Sequence, residues 1–379
     1  MRKHVVVLGA GFGGLELATR LSETLEDAVR VTLLDRNDSF VFGFSKLDVM
    51  LGRQSADDVR LPYGDFEKPG VEFRRELVTG IDPVTRRVTT DAHSYDADFL
   101  VVAMGADYDL DATPGFAAGG FEYYTVAGAE RLRDGLADFD GGRVVISVLG
   151  QPFKCPPAPF EGAFLLHEYF TQRGIRESVQ MCSTFPMARP VPVTAEVSQM
   201  FRDGLATRGI QELPRHLVTS IDPATRTAEL ASGEQLPYDL FIGVPVHRAP
   251  DPLAAAGLAV NNWVQVDQTN LRTEFPNVYA IGDVCSGPRT VPKAGLFAEA
   301  AARVVADDIA AALAGTDPPL PYEAAGVCYA DFGGGLVNKV EVNFLSGPSA
   351  AADPHEPSRE FAAEKEQFGA TRRSRWFGH

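Results

Sequence analysis

The chain has only four cysteines in 379 residues, at 155, 182, 285 and 328. They form no CxxC pair, no metal-ligand spacing and no CxxCH haem site. That excludes a cysteine-held metal centre and a disulfide-stapled scaffold, and makes any disulfide catalytic rather than structural. Positive charge is also scarce. Thirty-five Lys and Arg stand against 51 Asp and Glu, for a formal net charge of −16, which argues against nucleic acid and against general attraction to anionic membranes. No apolar run reaches the roughly 18–20 residues needed to span a bilayer. The chain opens on a strand with no signal peptide in view, so a cytoplasmic location is expected. A hydrophobic content of 45% over this length supports a large core in two or three domains.

What is present starts at once. Val5–Leu8 is a β-branched run of the kind that forms a buried parallel strand. Gly9-Ala10-Gly11-Phe12-Gly13-Gly14 follows, then a helical stretch over Leu15–Leu25 and a second strand, Val29–Leu34, ending in Asp35 and Arg36. This is a whole βαβ unit with the GxGxxG pattern in its first turn. Gly9 makes the tight turn, Gly11 lets the backbone approach a pyrophosphate, and Gly14 allows close helix packing. The helix N-terminus takes the anion and Asp35 takes a ribose hydroxyl. A meander beginning at Leu77-Val78 leads to the strand Phe99–Val102 and the small-residue turn Ala103-Met104-Gly105. Such a turn lets backbone touch a bound nucleotide.

The pattern then repeats. Leu217–Arg226 matches Leu77–Arg86 at eight of ten places, an offset of 140. On the same offset Val5 pairs with Val145, while Val31 pairs with Val179 and Asp35 with Ser183 at 148. The fold class expected is α/β: two Rossmann-like dinucleotide-binding domains and a small C-terminal α+β region. The expected boundaries are 1–110 with 265–318, then 111–264, then 319–379. In the second unit the glycine turn is gone. The strand Arg143–Val148 runs into Leu149–Glu161, which carries Lys154, Cys155 and four prolines, before a helix over Gly162–Gln172. Prolines remove backbone donors, so a second nucleotide site is not expected here.

These features resemble the two-dinucleotide-binding-domain flavoproteins over nearly the full chain. Asn277–Val284 returns to a strand ending in Gly282-Asp283, and Lys293-Ala294-Gly295 opens a long alanine-rich helix. In that group, the resemblance implies, the Asp binds the flavin chain and the helix points its N-terminus at the ring. Phe153–Glu161, Gly326-Val327-Cys328-Tyr329 and the tail around Glu364–Phe368 and Arg372–Phe377 are similar to one branch: sulfide:quinone oxidoreductase and the flavoprotein subunit of flavocytochrome c sulfide dehydrogenase. The resemblance implies FAD bound through Gly9, Gly11, Phe12, Gly13, Gly14, Asp35, Arg36, Val78, Ala103, Gly105, Gly282, Asp283, Lys293 and Gly295. It implies Cys155 and Cys328 as a redox pair that passes electrons from sulfide, or a related small thiol or persulfide, to FAD and on to a quinone. It implies Glu161 as acid/base, although the residue also stands where it would cap the following helix. Lys154 is expected to lower the Cys155 pKa, and Lys293 to stabilise negative charge on the ring. Phe40–Phe44 has no cysteine, so non-covalent FAD is expected. Cys182 and Cys285 are expected to be structural thiols. The terminal helix, with Phe361, Phe368 and Trp376 near one face, is expected to close the site and to contact a membrane surface peripherally. A homodimer is a further expectation. Two other readings stay open: a type II NADH dehydrogenase-like enzyme, and a flavin-binding redox sensor or electron-transfer subunit with a protein partner.

Overall fold

The computed structural model describes residues 2–378 apart from Pro190, Pro192, Pro318 and Pro319, so the expected boundary at 318/319 lies outside the described residues. Strand β1 (Lys3–Leu8) sits at the centre of a five-stranded parallel sheet, with Val5–Leu8 fully buried. Helices cover both faces of such a sheet, which is why the run is continuous rather than alternating. Helix α1 (Phe12–Leu25) returns the chain to β2 (Val29–Asp35), and β3 (Val71–Arg75) makes one edge. On the other side of β1 lies β4 (Phe99–Val102), and beyond it the late strand Val278–Ala280 closes the sheet. Between β2 and β3 comes the short helix α2 (Ser45–Met50).

The second sheet repeats the design with four parallel strands, β5 (Gly142–Val148), β6 (Val179–Phe185), β7 (Ile210–Pro214) and β8 (Leu240–Val244). Helix α3 (Ala158–Gln172) joins β5 to β6. Each unit carries a three-stranded meander with an irregularity at the same place, between Val78 and Gly80 and between Val218 and Ser220. Asp82 and Asp222 each accept a hydroxyl hydrogen bond in their turns, from Thr85 at 2.7 Å and Thr225 at 2.9 Å. The repeat is therefore real down to the turn chemistry.

The register corrects one detail. His4 gives its backbone N–H to Asp98, and Arg143 gives its own to Asp239, both at 2.8 Å. His4 thus corresponds to Arg143, an offset of 139, and Val5 to Val144 rather than Val145. Val5 pairs with Val31 and Val144 with Met181, an offset of 150 for the second strand. The residue at the place of Asp35 is therefore Phe185, not Ser183. The length differences lie in the connections, where hydrophobic periodicity carries no register information.

The C-terminal region is an antiparallel sheet of β9 (Ala325–Asp331), β10 (Val337–Asn343) and β11 (Ala351–Ser358). Sequence patterning does not reveal β11, because it contains Pro354 and Pro357; it is an edge strand, where proline is tolerated. Helix α4 (Gly295–Ala314) packs on α1, and the final helix α5 (Arg359–Phe377) docks across both. The lock is Glu16 on α1, fully buried. It accepts from Arg303 at 2.9 Å, Arg375 at 2.7 Å and Trp376 Nε1 at 3.0 Å. Trp376 packs edge-on against Phe12 and Phe40, each 5.5 Å between ring centroids. Arg372 pairs with Glu299 at 2.9 Å. The aromatic end of α5 and two of its arginines are therefore used inside the protein, while Arg359 and Arg373 are exposed. Among the described residues no helix is long and apolar enough to cross a membrane.

Burial opposes the charge on Glu16, but hydrogen bonds from Arg375, Trp376 and Arg303 outweigh it and hold the carboxyl below its usual range. A depressed carboxylate pKa stabilises the fold above the unfolded value and loses that contribution as pH falls through the folded one. We therefore expect Glu16→Gln to weaken docking of α5 by about 3 kcal/mol. Limited trypsin digestion should then cut at Arg372–Arg375 much faster than in the parent, and the parent should gain the same sensitivity to an acid-tolerant protease as pH drops below the carboxylate range.

Candidate active site

The C-terminal ends of the β1 sheet, the Cys155 loop, α4, the β9–β10 hairpin and α5 enclose one cavity of about 820 Å³. At one end it is built for a dinucleotide. Gly9, with φ +100°, approaches Ala103 so closely that a side chain would strike its carbonyl, and a Cβ on Gly14 would overlap the carbonyl of Gly9. Gly11 faces open space. The first turns of α1 and α4 both border the cavity and neither contains an acidic residue, so two helix N-termini stay free for anionic or electron-rich groups. Asp35 accepts the Ala10 and Asn37 N–H groups, both at 2.8 Å, which fixes its carboxylate at the cavity edge. Asp283 Oδ1 is buried with no partner in the protein. A buried acceptor without a donor is costly, and a hydroxylated ligand would relieve it. The donors and the space fit a flavin dinucleotide.

Of the expected cofactor residues, Gly9, Gly11, Phe12, Gly13, Asp35, Arg36, Ala103, Gly105, Gly282, Asp283, Lys293 and Gly295 border this cavity. Two do not. Gly14 acts through packing alone, and Val78 is buried at the start of its meander strand with its side chain in the core.

Cys155, Cys328 and Glu161 also border the cavity, although Cys155 and Cys328 are far apart in the chain. Cys155 has φ +52°; its N–H donates to Lys293 O at 2.7 Å and its carbonyl accepts from Ala158 at 2.8 Å. Cys328 is presented by β9. Both are free thiols. Helix α3 begins at Ala158, so Glu161 lies in its first turn and does not cap it. Its buried carboxylate accepts from Asp331 N at 2.9 Å and from Lys365 Nζ at 3.3 Å. Burial pushes the Glu161 carboxyl up, against the pull of Lys365. Burial, then Glu161, then Cys328 push the Cys155 thiol far up, and burial with Glu161 pushes Cys328 up to about 12.

Lys154 does not activate Cys155 as expected. Its ammonium turns to Ala106 O at 2.6 Å and lies over the Tyr108 ring. Lys293 borders the cavity, but its ammonium donates to the carbonyls of Asp283 and Cys285 and sits 3.4 Å from the Trp263 ring centroid, so its charge is spent on that turn. Cys182 and Cys285 lie off the cavity, with pKa values pushed up by burial to about 11 and about 12. Sequence reasoning missed Lys365 as a site residue. It interrupts the aromatic stripe of α5, and a charge on an otherwise inward face was the available hint. Lys46, on α2, borders the cavity too and left no such trace.

The equivalent end of the second sheet is closed. Phe160 stacks on Phe185 at 5.0 Å and packs against Phe201, filling the edge where a second dinucleotide would lie.

The sequence profile described as pyridine nucleotide-disulphide oxidoreductase matches residues 3–150 and 169–296. The chain belongs to that family. It is an oxidoreductase, and membership implies a flavin cofactor. Among curated relatives, a sulfide-quinone reductase from Aquifex aeolicus is 27% identical over 357 residues, covering 88% of this chain and 82% of that protein. The solved sulfide:quinone oxidoreductase of the same bacterium shares the fold, with a TM-score of 0.84 and 23% identity over 97% of this chain and 90% of that one. An NDH2 structure from Plasmodium falciparum in complex with NADH also shares it, with a TM-score of 0.75 and 12% identity over 97% and 94%. The resemblance to the sulfide:quinone branch thus holds across the family member's length and not only in the Cys155 loop.

Two outcomes follow from this geometry. Gly14→Val should give a folded but colourless protein, because the side chain forces α1 off the Gly9 turn; absorbance near 450 nm against protein content checks it. Glu161→Gln removes a negative charge that adds to burial in raising both thiols, so iodoacetamide at pH 8 should label Cys155 and Cys328 roughly threefold faster or more.

Proposed function

We propose that this oxidoreductase oxidises sulfide through Cys155 and Cys328 and delivers the electrons, by way of non-covalently held FAD, to a quinone. The observation that carries this reading is the convergence of the two distant thiols and Glu161 on one cavity whose other end is a dinucleotide cradle. Hydrosulfide opens a Cys155–Cys328 disulfide, leaving a persulfide on one sulfur and a thiolate on the other. Further hydrosulfide attacks the outer sulfur and leaves with it as hydrodisulfide, returning a second thiol; the two thiols then re-form the disulfide as they give up two electrons and their protons. The bound flavin supplies two-electron acceptance from the thiol side and return of those electrons to the quinone. Glu161, with its carboxyl pushed up by burial, takes and returns the protons of sulfide and thiol. Lys365 holds Glu161 in place and offsets its charge. Among the described residues the cavity is bordered by no cysteine besides Cys155 and Cys328, and Phe40–Phe44 has none, which supports non-covalent FAD. Phe368 and Lys365 bring α5 into the cavity wall, and that wall, with Arg373 exposed nearby, is the side from which a membrane quinone would approach.

Relatives named as NADH:quinone oxidoreductases favour a second reading, against which stand Phe185 at the ribose-acid position and the lost glycine turn. Anaerobic addition of sulfide to one cuvette and NADH to another separates the two. Sulfide alone should bleach the flavin absorbance, and Cys155→Ser should slow that bleach at least a hundredfold. Bleaching by NADH alone would overturn the sulfide reading, and bleaching by neither would favour the redox sensor with a protein partner.

A further inference from the structure

The chain has seven lysines among its 35 basic residues. Four of the seven, Lys46, Lys154, Lys293 and Lys365, border the cavity of about 820 Å³. The other three are used locally: Lys3 pairs with Asp98, Lys339 with Glu364, and Lys68 donates to Arg375 O. Within the cavity, Lys365 is paired with Glu161, and Lys293 is spent on two carbonyls and Trp263. Lys46 and Lys154 each meet a carbonyl as well, Tyr124 O at 2.8 Å and Ala106 O at 2.6 Å, and Lys154 also lies over the Tyr108 ring.

These two belong to one hydrogen-bonded cluster beside the Cys155 loop. Lys46 Nζ donates to Tyr124 O at 2.8 Å. The Tyr108 hydroxyl donates to the same carbonyl at 3.2 Å, and the Lys154 ammonium lies 4.5 Å from the Tyr108 ring centroid. The Tyr124 hydroxyl donates to Lys154 O at 3.1 Å, which pins the residue next to Cys155. His247 Nε2 accepts the Lys154 N–H at 3.2 Å, while its Nδ1 meets Pro245 O at 2.7 Å. That pattern fixes a neutral imidazole, which supplies no counter-charge.

Neither ammonium has a carboxylate within ion-pair distance among the described residues. Glu122, Asp283 and Asp107 act on the cluster only from a distance, and Asp107 is paired with Arg36 at 2.9 Å. Glu122 is already occupied by the Thr125 N–H and hydroxyl, and Asp283 belongs to the cofactor cradle. Two half-buried lysines that border a cavity without a bonded carboxylate are costly in an isolated protein and invite an anion. The contrast with a net charge of −16 sharpens the point, because the protein as a whole repels anions while these lysines attract them locally.

We propose that Lys46 and Lys154 capture a small sulfur anion, hydrosulfide or the terminal sulfur of a growing polysulfide chain, in the cavity that Cys155 borders. The identity of the anion rests on the sulfide reading; the cationic site does not. Lys46 and Lys154 attract and orient the anion, and the bond changes stay with Cys155 and Cys328.

The test compares two alkylating reagents on the flavin-loaded protein, anionic iodoacetate and neutral iodoacetamide, with the Cys155 adduct followed by peptide mass. Lys46→Met and Lys154→Met should each lower the iodoacetate-to-iodoacetamide rate ratio at Cys155 by roughly threefold or more. Lys46→Arg and Lys154→Arg should keep it near the parent value. In the parent protein, thiocyanate should protect Cys155 from iodoacetamide while leaving Cys182 unprotected, a measurement that needs no variant to fold. An unchanged ratio in both Met variants, or no thiocyanate protection, overturns the proposal. A lysine-dependent ratio in a protein that sulfide fails to bleach supports the anion site and removes the sulfide reading alone.

Discussion

The hydrogen bond from the Cys155 N–H to the Lys293 carbonyl is the seam of this molecule. Cys155 leaves the first strand of the second unit, and Lys293 precedes the helix that completes the first. One backbone contact, extended by the bridge between Lys154 and Lys293, sets the position of the thiol against the cofactor cradle. Tyr124, His247 and Ala158 use the remaining backbone groups of Lys154 and Cys155, so the loop is held from several sides. Cys155 keeps a left-handed backbone there, a conformation that surrounding bonds must over-determine.

The two units are copies that diverged by the same physical logic. A parallel sheet offers a ligand site at the C-terminal ends of its strands. In the first unit glycines leave that edge open and Asp35 holds it polar. In the second, Phe185 stands where Asp35 would, Phe160 stacks on it, and a proline-rich loop replaces the donors. The space once suited to a second nucleotide is filled with aromatic packing, and the loop in front of it carries a thiol instead.

Charge in the cavity follows from burial rather than from local sequence. Glu161 and the thiols are raised because water is excluded, and Lys365 reaches Glu161 from a helix at the far end of the chain. That helix is held by Glu16, whose carboxylate gathers donors from α4 and α5. Docking of the tail, closure of the cavity and the environment of Glu161 are therefore one event.

The sequence by itself determined the parts whose physics is local. The glycine turn after β1, the buried β-branched strands, the repeated meander with its Asp82 and Asp222 turns, and the break in the second glycine pattern are each written within a few dozen residues. So is the resemblance carried by the Cys155 loop and the Cys328 segment. Only the tertiary structure decided what depends on distant segments meeting. It brought Cys328 and Glu161 to one wall, turned Lys154 and Lys293 away from the roles their neighbours in sequence suggested, and moved the counterpart of Asp35 to Phe185. It also revealed β11, whose prolines hide an edge strand, and gathered four lysines from four separate segments around one cavity. Side-chain direction, desolvation and long-range pairing set these outcomes, and none of the three is encoded in the spacing of residues along the chain.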